Sequence, residues 1–361
     1  LADVAPEPLS KAMRMISHEQ TQLLKKRVIT PSEYSKRMMR VYPTTDPDVL
    51  SGVPFIIEAA TESLKLKKDI LQRMPVSAVF ATNTSSLRVA DIATGDSMPE
   101  RCVGLHFFNP VDKMPLVEIV RSEKTSDQAM RMTSAIALAM GKTPIVVPDT
   151  PGFLINRLLV RYMAEAVLLV EEGVPIRTID GAMKTFGMPM GPLELIDFVG
   201  FSVAHEVVKT LNEAFGDRFP YPRLIKTMKD TELIEKMKGV GAPRFWIEKN
   251  RENKLVWELM SKSRVRFPNY SLKEMQERML LPMVDEALRC LDERIVGNES
   301  ELDCAVILGA GFPPFRGGLL KWAHAEYENE HGIRTKLFEL VRMHGGRFRS
   351  FDPLARAIEV K

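Results

Sequence analysis

Gly104-Leu-His-Phe-Phe-Asn-Pro-Val-Asp-Lys-Met-Pro-Leu-Val-Glu-Ile-Val120 sets two short apolar runs on either side of a proline-bearing loop. The first run ends on a lone histidine, His106, and the second carries one carboxylate, Glu118. Strand alternation puts Glu118 on the face of Leu116 and Val120, a poor place for an acid without a partner. Histidine titrates near neutral pH, and a carboxylate that fixes its tautomer and stabilises the imidazolium makes it a competent general base. The alternative is a satisfied core histidine beside an unrelated edge-strand glutamate.

The same strand-length rhythm extends outward. Phe55-Ile56-Ile57, Val79 to Thr82, Cys102 to Phe107, Leu116 to Val120 and Ile145 to Val147 are apolar runs, with helical spacing over Glu62 to Arg73 and Ser126 to Met140. Strands alternating with helices predict an α/β fold, a largely parallel, doubly wound Rossmann-type sheet whose ligands collect beyond the carboxyl ends of the strands. The polar residues fall there: Glu58 and Glu62, then Asn83-Thr84-Ser85-Ser86, then His106 and Asn109. Upstream, a helix is expected over Leu9 to Arg27. A second should open at Thr30-Pro31-Ser32-Glu33 and run toward Arg40.

At Asp149-Thr150-Pro151-Gly152 the strand signal fades, which marks a domain boundary. A strongly apolar helix is expected from Asn156 to Glu172, ended by Gly173. A turn over Gly187 to Pro192 then leads into a helix from Leu193 to Phe215. The stretch from Gly216 to Tyr270 reads less clearly. An internal repeat follows: the segment Glu277 to Ala287 matches Asn156 to Ala166, and Gly311 to Gly318 echoes the Gly187 turn. Position 277 holds glutamate where the first copy has Asn156, so any catalytic role of Asn156 belongs to the first copy. The expected organisation is a sheet domain over 1–149, an all-α unit over 150–262 and a second, degenerate all-α copy over 263–361.

The chain has 361 residues, a formal net charge of +3 from 50 basic and 47 acidic residues, and three isolated cysteines, Cys102, Cys290 and Cys304. That balance argues against a nucleic-acid surface, and the cysteines suggest neither a disulfide framework nor a zinc site. No run approaches the roughly 18 apolar residues of a membrane span. The first residue, leucine, suggests a fragment or processed chain.

Single residues leave alternatives open. Ser85 is an N-cap or turn residue, or a donor to a substrate hydroxyl, and no Gly-x-Ser-x-Gly elbow surrounds it. Asn156 caps a helix or holds substrate. Lys67 reads as a solvated helix lysine. Asp3 is a ribose-binding acid or an ordinary loop aspartate.

Taken together, ATNTSSL (81–87), the Gly104–Val120 stretch, GKTPIVVPDTPGFLINRLL (141–159) and GMPMGPLELID (187–197) resemble, in order and spacing, the motifs of the 3-hydroxyacyl-CoA dehydrogenase family. The trailing copy with GFPPFRGG (311–318) resembles the dehydrogenase half of the multifunctional fatty-acid oxidation enzymes more than the short single-function ones. The resemblance implies NAD-dependent oxidation of L-3-hydroxyacyl-CoA to 3-ketoacyl-CoA in fatty-acid β-oxidation, with no metal. His106 would be the base and Glu118 its orienting carboxylate. Ser85 would bond the reacting oxygen or the nicotinamide side, and Asn156 would hold the substrate near its thioester. Glu62, Lys67, Asn83, Ser85 and Asn109 would contact NAD, with Asp3 as the ribose acid. It also implies a thiolase partner, and a bacterial cytoplasm or mitochondrial matrix.

Three departures from the family pattern are visible. No Gly-x-Gly-x-x-Gly turn opens the chain, so the expectation is a truncated Rossmann-type domain, missing its first strand-helix-strand, that alone binds NAD poorly or not at all. Leu308 stands where relatives can carry a tyrosine near the acyl chain, and the loop Gly239-Val-Gly-Ala-Pro-Arg-Phe-Trp246 differs as well. A non-catalytic acyl-CoA-binding or thiolase-assembly module is the alternative of another class. A dehydrogenase acting on a small hydroxy acid is a third, and the run of matched motifs speaks against it.

Overall fold

The computed structural model describes residues 1–229, 243–248, 251–260 and 269–350. Helices α1 (Pro6–Lys25) and α2 (Pro31–Met38) form a largely exposed pair, Thr30 capping α2 through the Glu33 amide. Then comes the sheet: β1 (Phe55–Glu58), α3 (Leu64–Arg73), β2 (Val79–Thr82), the short α4 (Val89–Ala93), β3 (Cys102–Phe107), β4 (Leu116–Arg121), α5 (Asp127–Ala139) and β5 (Thr143–Pro148). The five strands lie in sequence order β1-β2-β3-β4-β5. Every pair is parallel except β3–β4. The reversal follows from the connection, since residues 108–115 are too few for a crossover.

Strands β1 to β4 each feed two cores. Val79, Ala81, Val103, Leu105, Val117 and Ile119 face α5, where they meet Ala129, Met130 and Ala137. The alternate positions, Phe80, Cys102, Leu116 and Val120 among them, join the core built with the helical region. That region begins with α6 (Ile155–Glu171), α7 (Ile176–Phe186), α8 (Pro192–Val199) and α9 (Phe201–Phe215). The single helix expected over Leu193 to Phe215 is thus two, broken at Gly200, whose φ of 96° interrupts helical geometry. In the poorly readable stretch lie α10 (Arg223–Met228), a small antiparallel pair, β6 (Trp246–Glu248) with β7 (Arg251–Glu252), and α11 (Lys254–Met260). Residues 239–242 of the departing loop lie outside the described residues. Next come α12 (Leu272–Asp292), α13 (Glu299–Ala310), α14 (Leu319–Tyr327) and α15 (Glu330–His344).

The internal repeat is visible as a reciprocal set of contacts. Arg157 on α6 pairs with Glu286 and Glu293 of the second copy at 2.7 and 2.8 Å. Arg278 on α12 returns the arrangement with Glu165 (2.9 Å) and Glu172 (2.6 Å) of the first. Each cluster is closed by a second arginine, Arg218 on Glu286 (2.7 Å) and Arg347 on Glu165 (2.9 Å). Helix starts repeat too. Asp180 accepts from the amides of Leu193 and Glu194 at α8, and Asp303 from those of Leu320 and Lys321 at α14. A Cβ at Gly191 or Gly318 would stand 2.2 or 2.3 Å from that aspartate, so glycine is required at both positions. Among the described residues no helix is long and apolar enough to cross a membrane.

Candidate active site

The antiparallel pairing of β3 with β4 sets His106 directly opposite Glu118. Cross-strand partners share a face, so the imidazole and the carboxylate meet by register alone. His106 Nδ1 lies 2.7 Å from Glu118 Oε2, with His106 4% exposed and Glu118 fully buried. The other oxygen, Oε1, accepts from the backbone amides of Leu154 and Ile155, each at 3.0 Å. Those are the N-cap and first residue of α6, whose amides have no partner within the helix. One carboxylate therefore orients the histidine and fastens the helical region to the sheet.

With Nδ1 donating to Glu118, Nε2 is the free base, and it faces Ser85 Oγ at 3.2 Å. Phe108 closes one side of the ring edge-on at 4.7 Å between centroids, and Phe153 lies at 5.7 Å. Ser85 sits in the loop after β2, held from two directions. Asn156 Nδ2 donates to its carbonyl at 3.0 Å. Glu62 Oε1 accepts from Thr84 Oγ1 (2.7 Å), the Ser85 amide (3.0 Å), and the amide and hydroxyl of Ser86 (2.9 Å each). Partial burial of Glu62 penalises its charge, but the bonds from Thr84 and Ser86 and the neighbouring Lys67 ammonium outweigh it and hold the carboxyl below its ordinary value.

Behind Glu62 stands a buried pair. Lys67 Nζ contacts both oxygens of Glu58 at 2.9 and 3.0 Å, the Ala60 carbonyl at 3.3 Å and Glu62 Oε2 at 3.6 Å. Thr82 donates to Glu58 at 2.6 Å. Lys67 is 0% exposed, so the solvated-lysine reading does not fit. Asn83 Oδ1 accepts from the Phe107 amide at 3.1 Å, which leaves its side-chain NH2 without a partner among the described residues. Asn109 is exposed and precedes the cis Asn109–Pro110 bond. Asp3, also exposed, accepts from the Ala5 amide at 3.2 Å. Neither Asp3 nor Asn109 bonds His106, Ser85 or Asn156 among the described residues.

The structure thus brings together His106, Glu118, Ser85, Asn156 and Glu62. Sequence reasoning placed Glu58, Thr84 and Ser86 beyond the strand ends without giving them roles, and passed over the Leu154 and Ile155 amides. An acid closing an apolar run, Glu58, was the available signal for the first. The amides carry none.

A buried histidine–carboxylate pair thus stands at the carboxyl end of a Rossmann-type strand, closed over by the helical region. Residues 1–150 match the family described as 3-hydroxyacyl-CoA dehydrogenase, NAD binding domain, and residues 152–243 its C-terminal domain. A fatty acid oxidation complex subunit alpha from Acinetobacter baumannii (strain ACICU) is 35% identical over 333 residues, 88% of this chain and 46% of that protein. The chain spans about half the length of the curated relatives it matches. The solved (S)-3-hydroxybutyryl-CoA dehydrogenase from Ralstonia eutropha is 32% identical with a TM-score of 0.60, over 63% of this chain and 83% of that one. The 3-hydroxybutyryl-CoA dehydrogenase of Escherichia coli K12 is similar in fold, with a TM-score of 0.80 over 100% of this chain and 93% of its own at 24% identity. The chain belongs to the 3-hydroxyacyl-CoA dehydrogenase family.

Proposed function

We propose that the protein carrying these residues oxidises L-3-hydroxyacyl-CoA to 3-ketoacyl-CoA with NAD in fatty-acid β-oxidation. The observation that carries this is the His106–Glu118 rung, with Nε2 of the imidazole open toward Ser85. His106 Nε2 takes the proton of the 3-hydroxyl as the carbonyl forms. Glu118 holds the tautomer that leaves Nε2 unprotonated and balances the imidazolium that results. Ser85 Oγ bonds the reacting oxygen, and Asn156, which already fixes the Ser85 carbonyl, lies on the thioester side. NAD, when bound, supplies the hydride acceptor.

The donor set beyond β1, β2 and β3 fits that cofactor's nicotinamide end. The uncommitted NH2 of Asn83, the Ser85 hydroxyl and the exposed Asn109 amide suit a carboxamide-bearing ring. Glu62 holds the loop that presents them, Lys67 acts through Glu62 and Glu58, and Asp3 is the proposed ribose acid. We assign 1–149 to cofactor, 150–262 to substrate and 263–361 to support of the first helical unit. A thiolase subunit is the proposed partner, the A. baumannii relative being named as a subunit of a complex, and a bacterial cytoplasm is the proposed compartment.

The reading is tested by following NADH oxidation with acetoacetyl-CoA in the purified protein. Activity that falls about 10²- to 10⁴-fold in His106→Ala, the range a general base contributes, supports it. Acyl-CoA binding without turnover in the parent protein would instead leave a binding or assembly module.

A further inference from the structure

Away from His106, a cavity of about 750 Å³ opens between the two helical units, and its charge is one-sided. Arg161, Arg218, Lys226, Arg289, Arg347 and Arg349 line it against only Asp217 and Asp285. Three of those cations are already compensated, Arg218 by Glu286 and Glu293, Arg347 by Glu165, and Arg289 by Asp285 at 2.9 Å. The other three have no ion pair among the described residues. Lys226 lies over the Tyr221 ring at 4.5 Å, and Arg349 is exposed at the rim.

Arg161, at the floor, is the unusual one. It is 4% exposed, and among the described residues its guanidinium donates to neutral backbone carbonyls, those of Pro282 (3.5 Å), Arg218 and Arg347 (3.0 Å). Burying a guanidinium without a carboxylate is costly, and burial pushes its protonation below the ordinary range despite Asp285, Glu286 and Glu165 nearby. A cavity that gathers this cation with two uncompensated ones at its mouth attracts a multiply charged anion. Planar guanidinium forks favour phosphoryl oxygens in particular. A single phosphate would fill little of the volume, which is that of an organic ligand site.

We propose that this cavity is a binding site for a nucleoside polyphosphate, separate from the site at His106. The ligand is either a free nucleotide or the phosphorylated adenosine end of a coenzyme A thioester, which share this chemistry. Isothermal titration of the full chain with ADP, coenzyme A and pyrophosphate tests it. The double variant Lys226→Gln/Arg349→Gln removes two exposed cations that take no part in the proposed chemistry, and an unchanged melting temperature verifies its fold. The expected result is a site for ADP or coenzyme A, distinct from any at His106, that is weakened at least tenfold in the double variant and is much tighter than that for pyrophosphate. The tighter of the two identifies the source. Absence of binding by either, or equal affinity in parent and double variant, would overturn the proposal, the latter by locating the nucleotide elsewhere.

Discussion

At the residue scale, activity rests on which groups hold which. Glu118 spends one oxygen on His106 and the other on two helix amides. Glu118→Gln keeps an acceptor for those amides but sets an NH2 against Nδ1, which disfavours the working tautomer. We expect kcat to fall by about 10²-fold or more, within the range of general-base effects, with KM little changed. Steady-state kinetics against far-ultraviolet circular dichroism separates that from misfolding. Glu62 gives a prediction in pH. Its folded carboxyl titrates below the ordinary 4.5, so its contribution to stability is present above that value and is lost as pH falls through the lower folded value. Glu62→Gln should therefore lose stability at pH 7 and show a shallower decline below 4.5, read from urea midpoints across that range. An unchanged acid limb would count against the role given to this loop anchor.

Among the elements, the decisive one is the β3–β4 rung. Gly104 opposes Val120 one alternation away from it, and a Cβ there would stand 2.6 Å from Val120 Cβ and 3.0 Å from Val89 Cγ2. Gly104→Ala should cost about 1–3 kcal/mol in chemical denaturation, the usual range for overpacking, and reduce turnover with it. Much of this level could be read from the chain. The apolar runs gave all five strands of the main sheet, because buried strands leave near-continuous signatures. The offset between His106 and Glu118 suggested a pair, yet only register makes them neighbours. Lys67 misled for a physical reason: helical spacing shows which face a lysine occupies, not that two glutamates from β1 and its following loop neutralise it in the core. Gly200 was read through because the apolar pattern continues across it into α9.

For the whole molecule, the tandem helical units lock through two matching Arg–Glu clusters. The repeat was visible in sequence as Asn-Arg against Glu-Arg, but not that each arginine serves the other copy. Removing one partner of a buried pair leaves uncompensated charge. Arg157→Met and Arg278→Met should therefore each cost about 3–5 kcal/mol, nearly equally, in equilibrium denaturation. A large inequality would mean that the clusters are not equivalent. In the second copy Glu277 occupies the place of Asn156 and meets Tyr327 (3.3 Å) and Lys336 (3.3 Å), so its chemistry is turned to packing. The catalytic claim therefore falls on the first copy alone. Its most direct test is the pH–rate profile of 3-hydroxybutyryl-CoA oxidation by the purified protein and its His106→Ala variant. With His106 as the base, the parent's rate carries a pH-dependent limb, and the variant is slower by about 10²- to 10⁴-fold and lacks that limb. A variant within tenfold of the parent, with the same limb, would contradict it.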